Sequence, residues 1–240
     1  DAVRTPRGRG KSDGSLHDIQ PITLLTDVLR NLRDRNELDT SLVDDVIMGC
    51  VTPIGEQGAD IARTAALEAG YAETVAGVQL NRFCSSGLEA INMAGAYVMS
   101  GQVDAIVAGG VESMSRVPMG SDGGAIFMNP QIVARHNIVP QGISADLIAT
   151  KYGYSRNDVD TFAAESYRRA EAAQADNRFH KTLVPMRDDI GVTVLDRDEG
   201  VRPGTTAESL GKLKPSFEMM GQMGLDALAL LKYANLDKIN

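Results

Sequence analysis

Residues 44–110 alternate between short apolar runs rich in β-branched residues and stretches with a helical apolar period, and that alternation constrains the chain more than anything else in it. Residues 44–51 are short and rich in β-branched side chains, and read as a buried strand. Asp60 is placed to cap a helix carrying Ile61, Ala65 and Ala69, which Gly70 ends. Residues 75–80 read as a second strand. Residues 85–100 read as a helix with Leu88, Ile91, Gly95 and Val98 on one face and Gly101 at its end. Residues 103–108 form a third strand running into Gly109-Gly110. An earlier helix carries Ile22, Leu25, Val28, Leu29 and Leu32 at helical spacing. This β-α-β-α-β order predicts a layered α/β domain with parallel strands and right-handed crossovers.

The character changes near Arg116. Residues 116–140 hold Pro118, Gly120, Gly123, Gly124, Pro130 and Pro140 with no clear period, and read as an extended loop. Ser144 is placed to cap a helix with Leu147, Ile148 and Tyr152. Ser155 and Asp158 have capping-box spacing ahead of a stripe of Val159, Phe162, Ser166, Ala170 and Ala173. Residues 182–186 and 192–195 flank Asp188-Asp189-Ile190-Gly191, a hairpin signal, and residues 225–233 are a last helical piece. The expected boundary separates residues 1–116 from a mixed α+β unit, 117–240. The first part holds 10 basic against 16 acidic residues and the second 14 against 16. Chance surface variation accounts for that difference better than an anionic ligand does.

Composition narrows the function classes. A chain that is 43% hydrophobic and 23% charged folds rather than staying disordered. It lacks an apolar run of membrane-spanning length, so no membrane partner is expected. A net charge of −8 argues against nucleic-acid binding. Two cysteines supply neither a disulfide framework nor a zinc site, so a reducing, cytoplasmic setting is expected and no metal.

The chemically loaded segment is Val78-Gln79-Leu80-Asn81-Arg82-Phe83-Cys84-Ser85-Ser86-Gly87-Leu88-Glu89. A strand ends, a turn follows, and a helix begins at Cys84 or just after it. A thiol there meets the positive end of the helix dipole and the free N–H groups of the first turn. Both favour the thiolate, which is the nucleophile, and the same N–H groups suit an oxyanion formed when it attacks a thioester. Spacing alone leaves open whether Cys84 is that nucleophile or a buried structural cysteine. Cys50 sits inside an apolar strand and reads as core.

The run from Asn81 to Ala90 resembles the nucleophile motif of the thiolases, the acetyl-CoA acetyltransferases and 3-ketoacyl-CoA thiolases. Further segments match in order: Arg4-Thr5-Pro6-Arg7-Gly8, Val107-Ala108-Gly109-Gly110-Val111-Glu112-Ser113-Met114-Ser115, Arg202-Pro203-Gly204-Thr205-Thr206 and Leu213-Lys214-Pro215-Ser216-Phe217. Residues 117–124 and 224–233 resemble the degradative branch that takes longer or bulkier acyl-CoAs, including steroid side-chain thiolases. The resemblance implies a thiolase-like layered α-β-α core domain, partial here, with an inserted α+β loop domain that binds coenzyme A. It implies that Cys84 is acylated during thiolytic cleavage of 3-ketoacyl-CoA, or in the reverse condensation of acetyl-CoA.

By the same resemblance Arg202 lies near the adenine end and its phosphate. Ser209 contacts the nucleotide, and Leu213, Ser216 and Phe217 wall the adenine and pantetheine. Gln141 stands where short-chain thiolases have Met, and Pro140 where they have His, which fits a differently shaped acyl pocket. The family's activating histidine, second cysteine and oxyanion-hole groups lie in its C-terminal half. His17, His136 and His180 match none of them and read as structural or surface. The chain therefore reads as the amino-terminal half of a thiolase. Coenzyme A and acyl-CoA are expected as substrates, no cofactor is permanently bound, and a homodimer or homotetramer is expected. The alternatives are a ketoacyl synthase, which lacks the long insertion between 117 and 240, and a non-catalytic CoA-binding scaffold, against which the intact Asn81–Glu89 motif weighs.

Overall fold

A computed structural model describes residues 1–233 and 235–239. The chain divides into two compact units, residues 1–122 with 177–200, and residues 123–176 with 201–240. A single boundary near 116 was expected. The division instead falls at 122, and the 177–200 segment returns to the first unit. The return is made by contacts that no local pattern announces. Arg4 forms a bidentate pair with Asp198 at 2.7 and 2.9 Å. Glu199 accepts from the Arg9 N–H at 2.7 Å and the Ser15 hydroxyl at 2.9 Å. Arg4 also exchanges backbone bonds with the Thr182 carbonyl and the Val184 N–H.

The first unit is built on a parallel sheet of β1 (Asp45–Gly49), β2 (Ala76–Leu80) and β3 (Ile106–Gly110), ordered β2-β1-β3. Gly49 pairs with Leu80 on one side and Gly110 on the other, so the C-terminal ends of all three strands meet. The sheet has helices on both faces, as the alternating order requires. Val46 and Met48 of β1 face the cluster formed with α1 (Pro21–Arg35) and α2 (Ile61–Glu68), through Leu25, Leu29, Ile61 and Ala65. Ile47 points the other way, onto Ala90 and Ala94 of α3 (Ser86–Met99). A strand buried on both faces carries an unbroken apolar run. Asp60 caps α2 as its position suggested, its side chain accepting from the Arg63 N–H. β3 runs through Gly109 and Gly110 rather than stopping at 108.

The buried face of α3 differs from the expectation. Ser86, Ala90 and Ala94 pack inward, while Leu88 and Ile91 are 61% and 55% exposed and Val98 is exposed too. Small side chains let the helix approach the glycine-bearing strand ends, so the larger apolar residues are turned outward.

In the second unit, the expected loop contains two short helices, α4 (Ala125–Met128) and α5 (Pro130–His136). Pro130 opens α5 at its first turn, and the Asn129 side chain caps it by accepting from the Gln131 and Ile132 N–H groups. The proline was a helix-start signal rather than loop punctuation. α6 (Gln141–Tyr152) starts three residues before Ser144, with Pro140 at its N-cap. α7 (Arg156–Ala175) has the Ser155–Asp158 capping box as read. Its Val159 and Phe162 stripe is exposed, however, Phe162 at 80%.

The hairpin β4 (Met186–Arg187) and β5 (Thr193–Leu195) is antiparallel and belongs to the first unit. Asp188 ties its turn by accepting from the Ile190 and Val192 N–H groups. In the second unit α8 (Ala207–Gly211), α9 (Glu218–Met220), a π-helical turn at Gly221–Leu225 and α10 (Asp226–Leu230) follow. The last is shorter than the expected 225–233. Ile143, Leu147 and Ala229 form this unit's core, with Phe217, Val139 and Leu225 packed around it. Among the described residues no helix is long and apolar enough to cross a membrane.

Candidate active site

Cys84 is exposed, two residues ahead of the first residue of α3. The preceding Phe83 has φ of +48°, the left-handed region, which a bulky residue enters only when its surroundings hold it there. Several bonds do so. Phe83 N–H donates to Asn81 Oδ1 at 2.8 Å. Arg82 N–H donates to Ser86 Oγ at 2.9 Å, and that hydroxyl donates to the Phe83 carbonyl at 2.6 Å. The turn is thus closed over Cys84 by a fully buried serine.

The first N–H groups of α3 are partly spent inside the turn. Ser85 N–H bonds the Arg82 carbonyl and Ser86 N–H the Phe83 carbonyl. Gly87 and Leu88 N–H have no backbone acceptor among the described residues, as expected for the second and third positions of a helix.

Two glycines at the strand ends bring this helix start onto the sheet. A Cβ on Gly49 would overlap the backbone of Ser86 and Gly87. A Cβ on Gly110 would stand 2.7 Å from the Gly49 carbonyl oxygen and 3.5 Å from Gly87 Cα. These close approaches were missed from sequence, where Gly109-Gly110 read only as a strand end. A glycine ending a strand beside a helix start is the available signal.

A second layer was also missed. Asn81 Nδ2 donates to the Val51 carbonyl at 2.9 Å. The Glu112 carboxylate accepts from the Val51 N–H at 2.7 Å and the Thr52 N–H at 3.3 Å. Gln57, fully buried, donates to Glu112 at 2.8 Å and accepts from the Ser113 N–H at 2.6 Å. Cys50 lies buried beside this layer. Burial, followed by the nearby Glu112 charge, pushes its thiol up to about 11, so it stays neutral core as read. Asn81 also borders an open hollow of about 430 Å³ shared with Pro53, Asp60 and Gln79.

The other expected site residues lie in the second unit. Gln141 is the exposed first residue of α6. Phe217 packs on its neighbour Gly142 so closely that any Cβ there would enter the ring. The structure therefore brings Gln141 and Phe217 to one place. Ser209 is exposed, but its hydroxyl is engaged in the capping box of α8, accepting from the Thr206 N–H at 3.1 Å. Leu213 is exposed, and its carbonyl accepts from Arg156, which also holds the Leu210 carbonyl. Arg202 is exposed, with its carbonyl bonded by the Thr205 hydroxyl, and Ser216 is exposed. Among the described residues no histidine is hydrogen-bonded to Cys84, and the buried Nδ1 of His17 has no hydrogen-bond partner. His17 is half-buried, its carbonyl bonded by Arg116. His136 ends α5, and His180 Nδ1 lies 2.8 Å from the Asn177 carbonyl. Among the described residues no cluster has the make-up of a metal site.

The model of the thiolase N-terminal domain matches residues 1–224. This chain belongs to the thiolase family. Among its relatives is the beta-ketoadipyl-CoA thiolase of Pseudomonas knackmussii, 40% identical over 234 residues, 90% of this chain and 58% of the relative. The 3-ketoacyl-CoA thiolase of Shewanella denitrificans is 38% identical over 224 residues, 91% of this chain and 57% of the relative. The peroxisomal 3-ketoacyl-CoA thiolase of Yarrowia lipolytica is 39% identical over 234 residues, 92% and 55%. The chain thus spans rather more than half the length of the thiolases it matches.

Proposed function

We propose that this chain provides the nucleophile of a degradative thiolase. The observation that carries the reading is Cys84 itself: an exposed thiol held by a left-handed turn at the start of α3. The Cys84 thiolate attacks the 3-keto carbon of a 3-ketoacyl-CoA. The bond between C2 and C3 breaks, its electron pair goes to C2, and C2 takes a proton to leave as acetyl-CoA. The acyl group stays on sulfur until the thiolate of free CoA attacks it and releases Cys84. Every step exchanges thiol for thioester or breaks a carbon–carbon bond heterolytically, so the scheme calls on no metal or redox cofactor. The run of the same steps in reverse is a Claisen condensation.

The second unit is proposed as the CoA-binding part, with Arg202 and Ser209 toward the nucleotide and Leu213, Ser216 and Phe217 along the pantetheine. The adjacency of Gln141 and Phe217 supports an acyl pocket at the start of α6. Gln141 and Pro140 favour a longer or bulkier acyl chain than acetoacetyl, steroid side chains being one such class. The names of the relatives, beta-ketoadipyl-CoA and 3-ketoacyl-CoA thiolases, support the degradative direction. A homodimer or homotetramer is proposed for the assembly. Free Cys50 and Cys84 thiols suit a reducing compartment such as the cytoplasm.

Initial-rate kinetics of the full-length protein test the reading. Varying 3-ketoacyl-CoA against free CoA gives parallel double-reciprocal lines and one acetyl-CoA per turnover. Intersecting lines, or no acetyl-CoA, overturn it.

A further inference from the structure

We propose that Asn81 is a positioning residue for Cys84, and that Glu112 acts on the same turn through Val51. The inference rests on Cys84 being the nucleophile and deepens that reading.

The Asn81 side chain joins the nucleophile turn to the loop that leaves β1. Its Oδ1 accepts from the N–H of Phe83, the residue held at φ +48°, at 2.8 Å. Its Nδ2 donates to the Val51 carbonyl at 2.9 Å, on the loop that leaves β1. The peptide of Val51 is fixed from its other end, because the Val51 N–H donates to Glu112 at 2.7 Å. Glu112 in turn is held by Gln57, which is fully buried and anchored to the Thr52 carbonyl and the Ser113 N–H. The chain of bonds therefore runs from a buried glutamine to the N–H of Phe83, the residue before the cysteine.

The residue types fit this role and no simpler one. Asn81 is exposed, so burial does not explain an amide there. An amide both donates and accepts, which the two backbone partners require. A left-handed non-glycine residue needs such a clamp to persist, and its conformation sets where the next Cα, that of Cys84, is placed. Small errors in the placement of a reacting group cost large factors in rate.

The test compares the full-length protein with its Asn81→Ala, Asn81→Asp and Glu112→Gln variants. Two rates are read at Cys84 by peptide mapping: single-turnover acylation by an acyl-CoA, and alkylation by iodoacetamide at pH 7. Alkylation of buried Cys50 reports whether each variant is folded. Asn81→Ala is expected to slow acylation about tenfold or more. It slows alkylation of Cys84 about threefold, with KM for the acyl-CoA unchanged and Cys50 protected. Asn81→Asp keeps the acceptor for Phe83 N–H and regains most of the acylation rate. Glu112→Gln, which turns a donor toward the Val51 N–H or Gln57, slows acylation as well. Wild-type rates in Asn81→Ala overturn the proposal, as does an Asn81→Asp variant no faster than Asn81→Ala. If Asn81→Ala exposes Cys50, the decision passes to Asn81→Asp and Glu112→Gln. Unchanged acylation in Glu112→Gln then contradicts the proposal. If the wild-type protein is never acylated at Cys84, the nucleophile reading fails. The alkylation rates then still decide whether Asn81 places the thiol.

Discussion

Gly49, at the end of β1, lies against Ser86, the first residue of α3, at a separation that admits no side chain on Gly49. The contact is backbone on backbone, so no rotamer change relieves a methyl group placed there. Gly49→Ala is expected to cost about 1–3 kcal/mol, the usual penalty of overpacking. It also displaces the start of the helix that follows Cys84. Guanidinium unfolding reads the first effect and single-turnover acylation of Cys84 the second. A variant with lowered stability and undiminished acylation would show that the contact is structural only.

Phe217 and Gly142 make the corresponding contact in the second unit. Gly142→Ala drives a methyl into the ring and is expected to destabilise this unit by about 1–3 kcal/mol. Phe217→Ala removes a ring from the cluster of Ile143, Leu147 and Ala229 and costs about 3 kcal/mol, the low end for a buried phenylalanine, because the ring is only half-buried. Differential hydrogen exchange localises both losses. Phe217→Ala is further expected to raise KM for the longer acyl-CoAs more than for acetoacetyl-CoA.

Ser209 separates a structural role from a binding one. It shares the capping box of α8 with Thr206, so Thr206→Ala and Ser209→Ala should each lower stability by about 1 kcal/mol. If Ser209 also contacts the nucleotide, titration calorimetry with CoA finds the larger loss of affinity in Ser209→Ala. Equal losses in the two variants assign Ser209 to the cap alone.

Asp146 of α6 gives a pH dependence. Burial, followed by the charge of Asp226, raises its carboxyl above the ordinary value of 3.8. A carboxyl raised on folding stabilises the fold fully below its unfolded value. That stability is lost as pH rises through the folded value. Asp146→Asn removes the loss, so the variant is expected to be more stable than wild type at pH 7, with the difference shrinking toward pH 4. Urea unfolding at the two pH values checks this, and a difference that grows at low pH contradicts it.

The β-α-β-α-β succession with parallel strands, the caps at Asp60 and Ser155, and the strand-turn-helix around Cys84 were legible because each is signalled within a few residues. The inward face of α3 was not. Periodicity finds the large apolar residues, Leu88, Ile91 and Val98, whereas packing against Ile47 of the sheet selects the small ones, Ala90 and Ala94. The return of residues 177–200 to the first unit depends on pairs such as Arg4–Asp198, too far apart in the chain for any local pattern. Asn81 stood inside the quoted motif without a role, since its two partners are backbone groups whose positions exist only after folding.

The central claim is that the acyl group passes through the sulfur of Cys84. The most direct measurement incubates the full-length protein with a 3-ketoacyl-CoA in the absence of free CoA, then maps the acylated peptide by mass. The account predicts an acyl group on the peptide containing Cys84, removed by adding CoA and absent from Cys84→Ser. Turnover with the adduct on another residue, or an acylated Cys84→Ser variant, would contradict it.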